Sequence, residues 1–365
     1  MTTSVTTFRN EFSERVLDFI WGQWCQLGVV GSATRNGQWV SDPEPLLAFT
    51  SEVARRDARM FDEVLDWLVT NGRWINTQRL STILKQDKIG DTAVIGAIAS
   101  WMSEQDKSMK WRGITRRMVA TEPKRNEALF EMQFGGPSGV AEQPEAHFER
   151  YGLLRGTIHT RRMTQAVNMK DPLNVMFKSR AAFGIGIRAD VMAYLVTTDG
   201  GYARRIAAIL GYNHMRVTEV LAGMAEAGMV TVHSAGRTKH YRVDREKWRS
   251  ILMPEQSGGF QWVNWRSLTR GLTAIWREAW ALDDARADAY VFSSKMRKAM
   301  QAAKDDLQGS GVPFTIEDDT GYLAEAYLPV FINDISNVMS ALEGQAMARS
   351  VFEKKLGTAN LLSQS

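Results

Sequence analysis

Cys25 is the only cysteine in the 365 residues. That excludes a disulfide within the chain and any metal centre built on several thiolates. Long apolar runs are missing too. None approaches the ~20 residues a membrane-crossing helix needs. The opening MTTSVTTFRNEF lacks the charged-then-apolar build of a secretory leader. The expectation is a cytoplasmic protein without membrane association. Histidines are sparse and scattered, at positions 147, 159, 214, 233 and 240. No nucleophile elbow, dinucleotide fingerprint or Walker sequence occurs. The run Gly135-Gly136-Pro137-Ser138-Gly139 lacks the spacing and lysine of a phosphate cradle and reads as a connecting loop. No catalysis, cofactor or metal is expected.

What is present is core-forming material. Hydrophobic residues make up 44% of the chain, with twelve tryptophans and eighteen methionines, enough for two or three packed domains. The formal net charge of +4 says little by itself. Its distribution says more. Residues 1–106 carry 10 basic and 14 acidic side chains, residues 107–261 carry 24 and 14, and residues 262–365 carry 11 and 13. The positive charge is concentrated in the centre, as a polyanion partner would require.

Along the chain, Phe8, Phe12, Val16, Phe19 and Ile20 form an amphipathic stripe within Thr7–Gln26. Asp42-Pro43 reads as an N-cap carboxylate followed by proline at the first helical position. Further helices are expected through Arg55 and over Ala58–Thr70, Thr77–Lys85, Thr92–Ser103 and Trp111–Val119. Leu129–Phe134 has the composition of a strand. Residues 144–188 are rich in cations, including Arg150, Arg155, Arg161, Arg162, Lys170, Lys178, Arg180 and Arg188. Two readings stand for them: an arm along a polyanion, or a surface wrapped over the helical parts. Beyond a Gln256–Gly259 linker, helices are expected over Trp262–Leu282 and Ala285–Leu307. The last stretch, Tyr322–Leu342, is expected to bend or restart at Pro329. Asp283, Asp284 and Asp288 suit a helix start, where carboxylates meet the positive end of the dipole.

The most informative stretch is Arg188–Arg249. Val191, Met192 and Leu195 mark one helix face, and Asp199-Gly200-Gly201 breaks it. Ile206, Ala207 and Leu210 mark a second helix, Tyr202–Leu210, closed by Gly211. Tyr212 supplies an apolar turn residue and Asn213 an N-cap. A third helix, His214–Ala227, is expected to bury Val217, Val220, Leu221 and Met224. Gly228 stops it, and a two-residue period follows over Met229–Ser234. Ala235-Gly236 is a turn, and His240–Val243 the returning strand. His233 and His240 would then lie on opposite strands, and without acidic neighbours they suit a structural pair.

This order resembles the winged helix-turn-helix of bacterial regulators of the ArsR/MarR type. Ile206-Ala207, Leu210-Gly211-Tyr212, Val217 with Leu221 and Met224, and Ala227–Val230 leading into Gly236–Tyr241 carry the likeness. It covers residues 188–249 of 365. The single cysteine removes the thiolate metal sensing of some ArsR relatives. The resemblance implies that the helix after the tight turn enters the major groove of double-stranded DNA. Its base-reading candidates are Asn213, His214, Met215, Arg216, Thr218 and Glu219. Arg216 can fork onto guanine. Glu219 departs from the commoner basic residue; it can accept from a cytosine amine or lower nonspecific affinity. Arg204, Arg205, Arg237, Lys239 and Arg242 are the backbone candidates.

The sequence thus reads as a mainly α protein: a helical domain (1–121), a basic bridge (122–186), a winged helix-turn-helix with a small hairpin (187–253) and a helical dimerisation or sensing domain (260–365). The expected function is a homodimeric, sequence-specific DNA-binding transcriptional regulator, a repressor. The rivals are a replication initiator on tandem iterons and an antitoxin or adaptor gripping a protein partner.

Overall fold

A computed structural model describes residues 5–31, 38–106, 108–118, 126–130, 143–236, 238–253, 260–282, 288–317 and 319–344. The expected loop 135–139, most of the strand Leu129–Phe134, the linker Gln256–Gly259, Asp283, Asp284 and Arg237 lie outside them.

The protein is mainly helical. In chain order the helices are α1 (Val5–Gln26), α2 (Pro43–Val53), α3 (Ala58–Asn71), α4 (Thr77–Asp87), α5 (Thr92–Gln105), α6 (Lys110–Met118), α7 (Ala146–Glu149), α8 (Val175–Phe183), α9 (Ile187–Thr197), α10 (Ala203–Leu210), α11 (His214–Glu226), α12 (Arg245–Leu252), α13 (Trp265–Ala281), α14 (Ala289–Gln308) and α15 (Tyr327–Leu342). The strands are β1 (Glu127–Ala128), β2 (Leu153–Leu154), β3 (Gly201–Tyr202), β4 (Thr231–Ala235) and β5 (Thr238–Arg242). No helix among the described residues is long and apolar enough to cross a membrane.

Two compact units divide the chain: Ile20–Thr269, and Met1–Phe19 together with Arg270–Ser365. In the second, Phe8 stacks on Phe12 and meets Phe331 and Phe292. Met296, Met300, Ile275 and Trp276 are buried, as their helical spacing requires. One local expectation shifts there. The helical stretch restarts just before Pro329 rather than at it: a 3-10 turn over Ala324–Ala326 gives way to α15 at Tyr327, and Pro329 sits in the first turn, where a missing N–H breaks no intrahelical bond. Asp306 lies near the end of α14, and Arg270 donates to it at 2.5 and 2.9 Å.

The larger unit holds a continuous core over α8–α12, including Val175, Met192, Leu195, Ile206, Leu221 and Tyr241. β5 is the central strand of a three-stranded antiparallel sheet ordered β3-β5-β4. β3, two residues long, has no periodicity by which the sequence could announce it. It pairs because Gly200 has φ +88° and because a Cβ there would lie 2.2 Å from the Tyr241 carbonyl oxygen. Strand β4 starts two residues later than the Met229–Ser234 alternation suggests. Gly228 and Met229 donate their N–H groups to the carbonyls of Ala225 and Met224, closing α11 in a Schellman motif.

Candidate nucleic-acid interface

α11 has two unlike faces. Val217, Leu221 and Met224 are buried against α9 and α10. His214, Met215, Arg216, Thr218 and Glu219 are exposed. The helix begins at Asn213, whose side-chain oxygen accepts the N–H groups of Met215 at 2.9 Å and Arg216 at 3.4 Å. That oxygen is therefore committed to the cap. The Thr218 hydroxyl donates to the His214 carbonyl at 2.9 Å. Arg216 and Glu219, about 70% exposed, form an i,i+3 pair at 3.2 Å. Such a surface pair contributes under about 1 kcal/mol, so an outside ligand can separate it. Met215, 64% exposed, gives the face an apolar spot.

Arg204 and Arg205 are exposed in the first turn of α10. Lys239 and Arg242 are exposed on β5. The register sets His233 directly opposite His240, and His240 opposite Tyr202. The Tyr202 and His240 rings meet edge-on at 5.1 Å. This row occupies the sheet face opposite the buried Tyr241. No group of three or more His, Cys, Asp or Glu side chains suited to a metal ion is found among the described residues.

A buried ionic cluster holds the turn between α10 and α11. Arg79 of α4 donates to both Asp42 oxygens at 2.5 Å, to Glu44 at 2.6 Å and to the Leu210 carbonyl at the end of α10 at 2.6 Å. Arg180 of α8 donates to Glu44 at 2.7 and 2.8 Å and to Asp190 at 2.9 and 3.0 Å. The Tyr212 hydroxyl donates to Asp190 at 2.6 Å and accepts from Asn76 Nδ2 at 3.0 Å. Arg266 donates to Asp87 at 2.6 Å and also to the Ala208 carbonyl. It lies against Gly211, whose φ of +74° closes α10. Burial works against the charge on Glu44, but Arg180 and then Arg79 outweigh it and hold its carboxyl at about 2. Burial first, then the Asp190 charge, push the Tyr212 phenol well above its ordinary range.

No protein-family model, curated protein or solved structure matches the chain.

Of the basic residues in 144–188, Arg155 and Arg180 are buried. The Arg155 guanidinium lies 5.3 to 5.7 Å from the ring centres of Phe61, Phe130 and Phe148, and 2.8 Å from Asp62. Arg161 reaches Glu63 at 3.4 Å. The N–H groups of Arg162, Met163 and Thr164 all donate to Asp66. Much of this stretch is therefore bound to α3, while Arg150 and Lys170 stay exposed.

Sequence reasoning missed the cluster around Tyr212. Asp42 does precede α2, but its side chain makes no cap bond because Arg79 takes both oxygens. Tyr212 is only partly apolar in role, since its hydroxyl is bonded on both sides.

Proposed function

We propose that this protein is a sequence-specific, double-stranded-DNA-binding transcriptional regulator, a repressor, with a winged helix-turn-helix over residues 187–253. α11 is its recognition helix and the β4–β5 hairpin its wing. The observation that carries the reading is the outward polar face of α11: His214, Arg216, Thr218 and Glu219 are exposed beside the cationic start of α10. α5 offers no comparable face, because Val94–Met102 are all buried.

In this reading Arg216 forks onto a guanine, with His214, Met215, Thr218, Glu219 and the Asn213 amide against neighbouring base edges. Arg204, Arg205, Lys239 and Arg242, with Arg237 at the hairpin tip, neutralise phosphates. Residues 260–365 supply a homodimer contact. Exposed Tyr290, Val291 and Leu323 support that, with the Ser293 hydroxyl bonded to the Ala324 carbonyl beside them. Occupying an operator then excludes polymerase, and no cofactor is required.

Selection from random duplexes followed by sequencing tests the reading. The expected product is a palindrome with half-sites about 10 bp apart, or a multiple of that. Tandem repeats would favour an initiator. No enrichment would overturn DNA reading altogether.

A further inference from the structure

α6, KWRGITRRM, contains four cations and no acid. Trp111 and Ile114 are buried and fix which side faces inward. Arg112, Arg116 and Arg117 are exposed. At 100° per residue Arg112 and Arg116 fall on the arc opposite those two anchors, and Arg117 on its flank, about 60° from Ile114. Among the described residues none of the three has an ion-pair or hydrogen-bond partner. Other cations of this unit, Arg79, Arg155, Arg180 and Arg266, are spent on internal carboxylates. Arg116 and Arg117 stand in the last turn, at the negative end of the helix dipole, while Arg112 and Arg116 at i,i+4 repel one another, a repulsion that a bound anion relieves.

The fourth cation fixes where this helix sits. Lys110 Nζ donates to the carbonyls of Gly72, Arg73 and Ile75 at 2.6, 2.8 and 3.3 Å. The next residue, Asn76, donates to the Tyr212 hydroxyl at 3.0 Å. Two hydrogen bonds and one residue thus link the Lys110 ammonium of α6 to the Tyr212 hydroxyl on the turn that launches α11.

We infer that the Arg112–Arg117 face of α6 is a second DNA-backbone contact, binding phosphates of the same duplex beside the bases read by α11. This rests on the reading of α11 as a recognition helix. The partner is double-stranded DNA, contacted without regard to sequence. Arginine suits that role, since its planar fork matches phosphate oxygens. Each phosphate neutralised adds about 0.9 to the slope of log affinity against log salt, so three arginines account for up to about 2.7. The contact lengthens the protected DNA beyond the sequence-selected core.

The test uses the full chain and the triple variant R112Q/R116Q/R117Q. All three side chains are exposed, so its thermal melt should match the wild type. Affinity is measured from 50 to 200 mM salt on the selected core duplex and on the same core with random-sequence flanks. The wild type should bind the flanked duplex roughly 10²-fold more tightly than the variant, with a slope steeper by about 2 to 3. On the bare core the two should converge, and base preferences should be identical. A variant indistinguishable from the wild type on flanked DNA, while Arg204→Ala still weakens binding, would overturn the α6 contact and leave α11 as the reader. A wild type that binds neither duplex would overturn both.

Discussion

Tyr212 donates its phenolic hydrogen to Asp190 at 2.6 Å while accepting from Asn76 at 3.0 Å, so one side chain ties the turn before α11 to α9 and to the cap of α4. Tyr212→Phe removes both bonds and leaves the ring's packing intact. The expected cost is about 1–3 kcal/mol, read as a lower urea midpoint with unchanged helical content. Because the folded-state phenol titrates above its unfolded value of about 10, its contribution is complete below pH 10. It is lost as pH rises through the folded value. An alkaline limb of equal steepness in Tyr212→Phe and wild type would count against this.

Glu44 gives the opposite sign. Its folded carboxyl lies at about 2, below the ordinary 4.5, so its contribution is full above pH 4.5 and is lost as pH falls toward 2. Glu44→Gln leaves Arg79 and Arg180 underpaired and should destabilise the unit by about 3–5 kcal/mol at pH 7. The gap to wild type should narrow between pH 4.5 and 2. A constant gap across that window in denaturation titrations would refute it.

Arg216 and Arg204 should separate by kind of effect. Arg216→Ala should relax preference at one base pair by about 1–3 kcal/mol. Arg204→Ala should weaken all duplexes alike and lower the salt slope by about 1. Binding to a panel of single-base variants distinguishes them, and identical profiles would reject the division of roles.

Glu219 pairs with Arg216 on the free surface, 3.2 Å away. Glu219→Gln removes a negative charge from the face proposed to meet DNA. Affinity for random-sequence duplex should rise roughly 3- to 10-fold, measured by anisotropy at fixed salt. Weaker binding to every duplex would instead mean that the carboxylate accepts from DNA.

Helices and their buried sides were legible wherever one local pattern decided the outcome. Val217, Leu221 and Met224 repeat at helical spacing, and Asn213 and Gly211 stand where a cap and a left-handed closure are needed. The arginine–carboxylate cluster was not legible. Arg180 and Glu44 are 136 residues apart, and nothing local distinguishes Arg180 from the exposed Arg150 or Lys170 nearby. The basic residues of 144–188 divide between internal and outward use for the same reason. Only the packing partner decides, and Asp62 or Asp66 of α3 cannot be matched to them from spacing. Exposure of the proposed base-reading residues followed from periodicity; what they touch did not.

The carbonyls that end α10 are stoppered by guanidinium groups borrowed from far along the chain, Arg79 and Arg266. A clipped fragment of residues 187–253 would keep Asp190 and Tyr212 but forfeit those stoppers, Arg180 and the Val175–Met176 packing. Shuffling that segment alone onto another scaffold should therefore yield a loose peptide, and any transplant has to carry α2, α4, α8 and the head of α13 along with it.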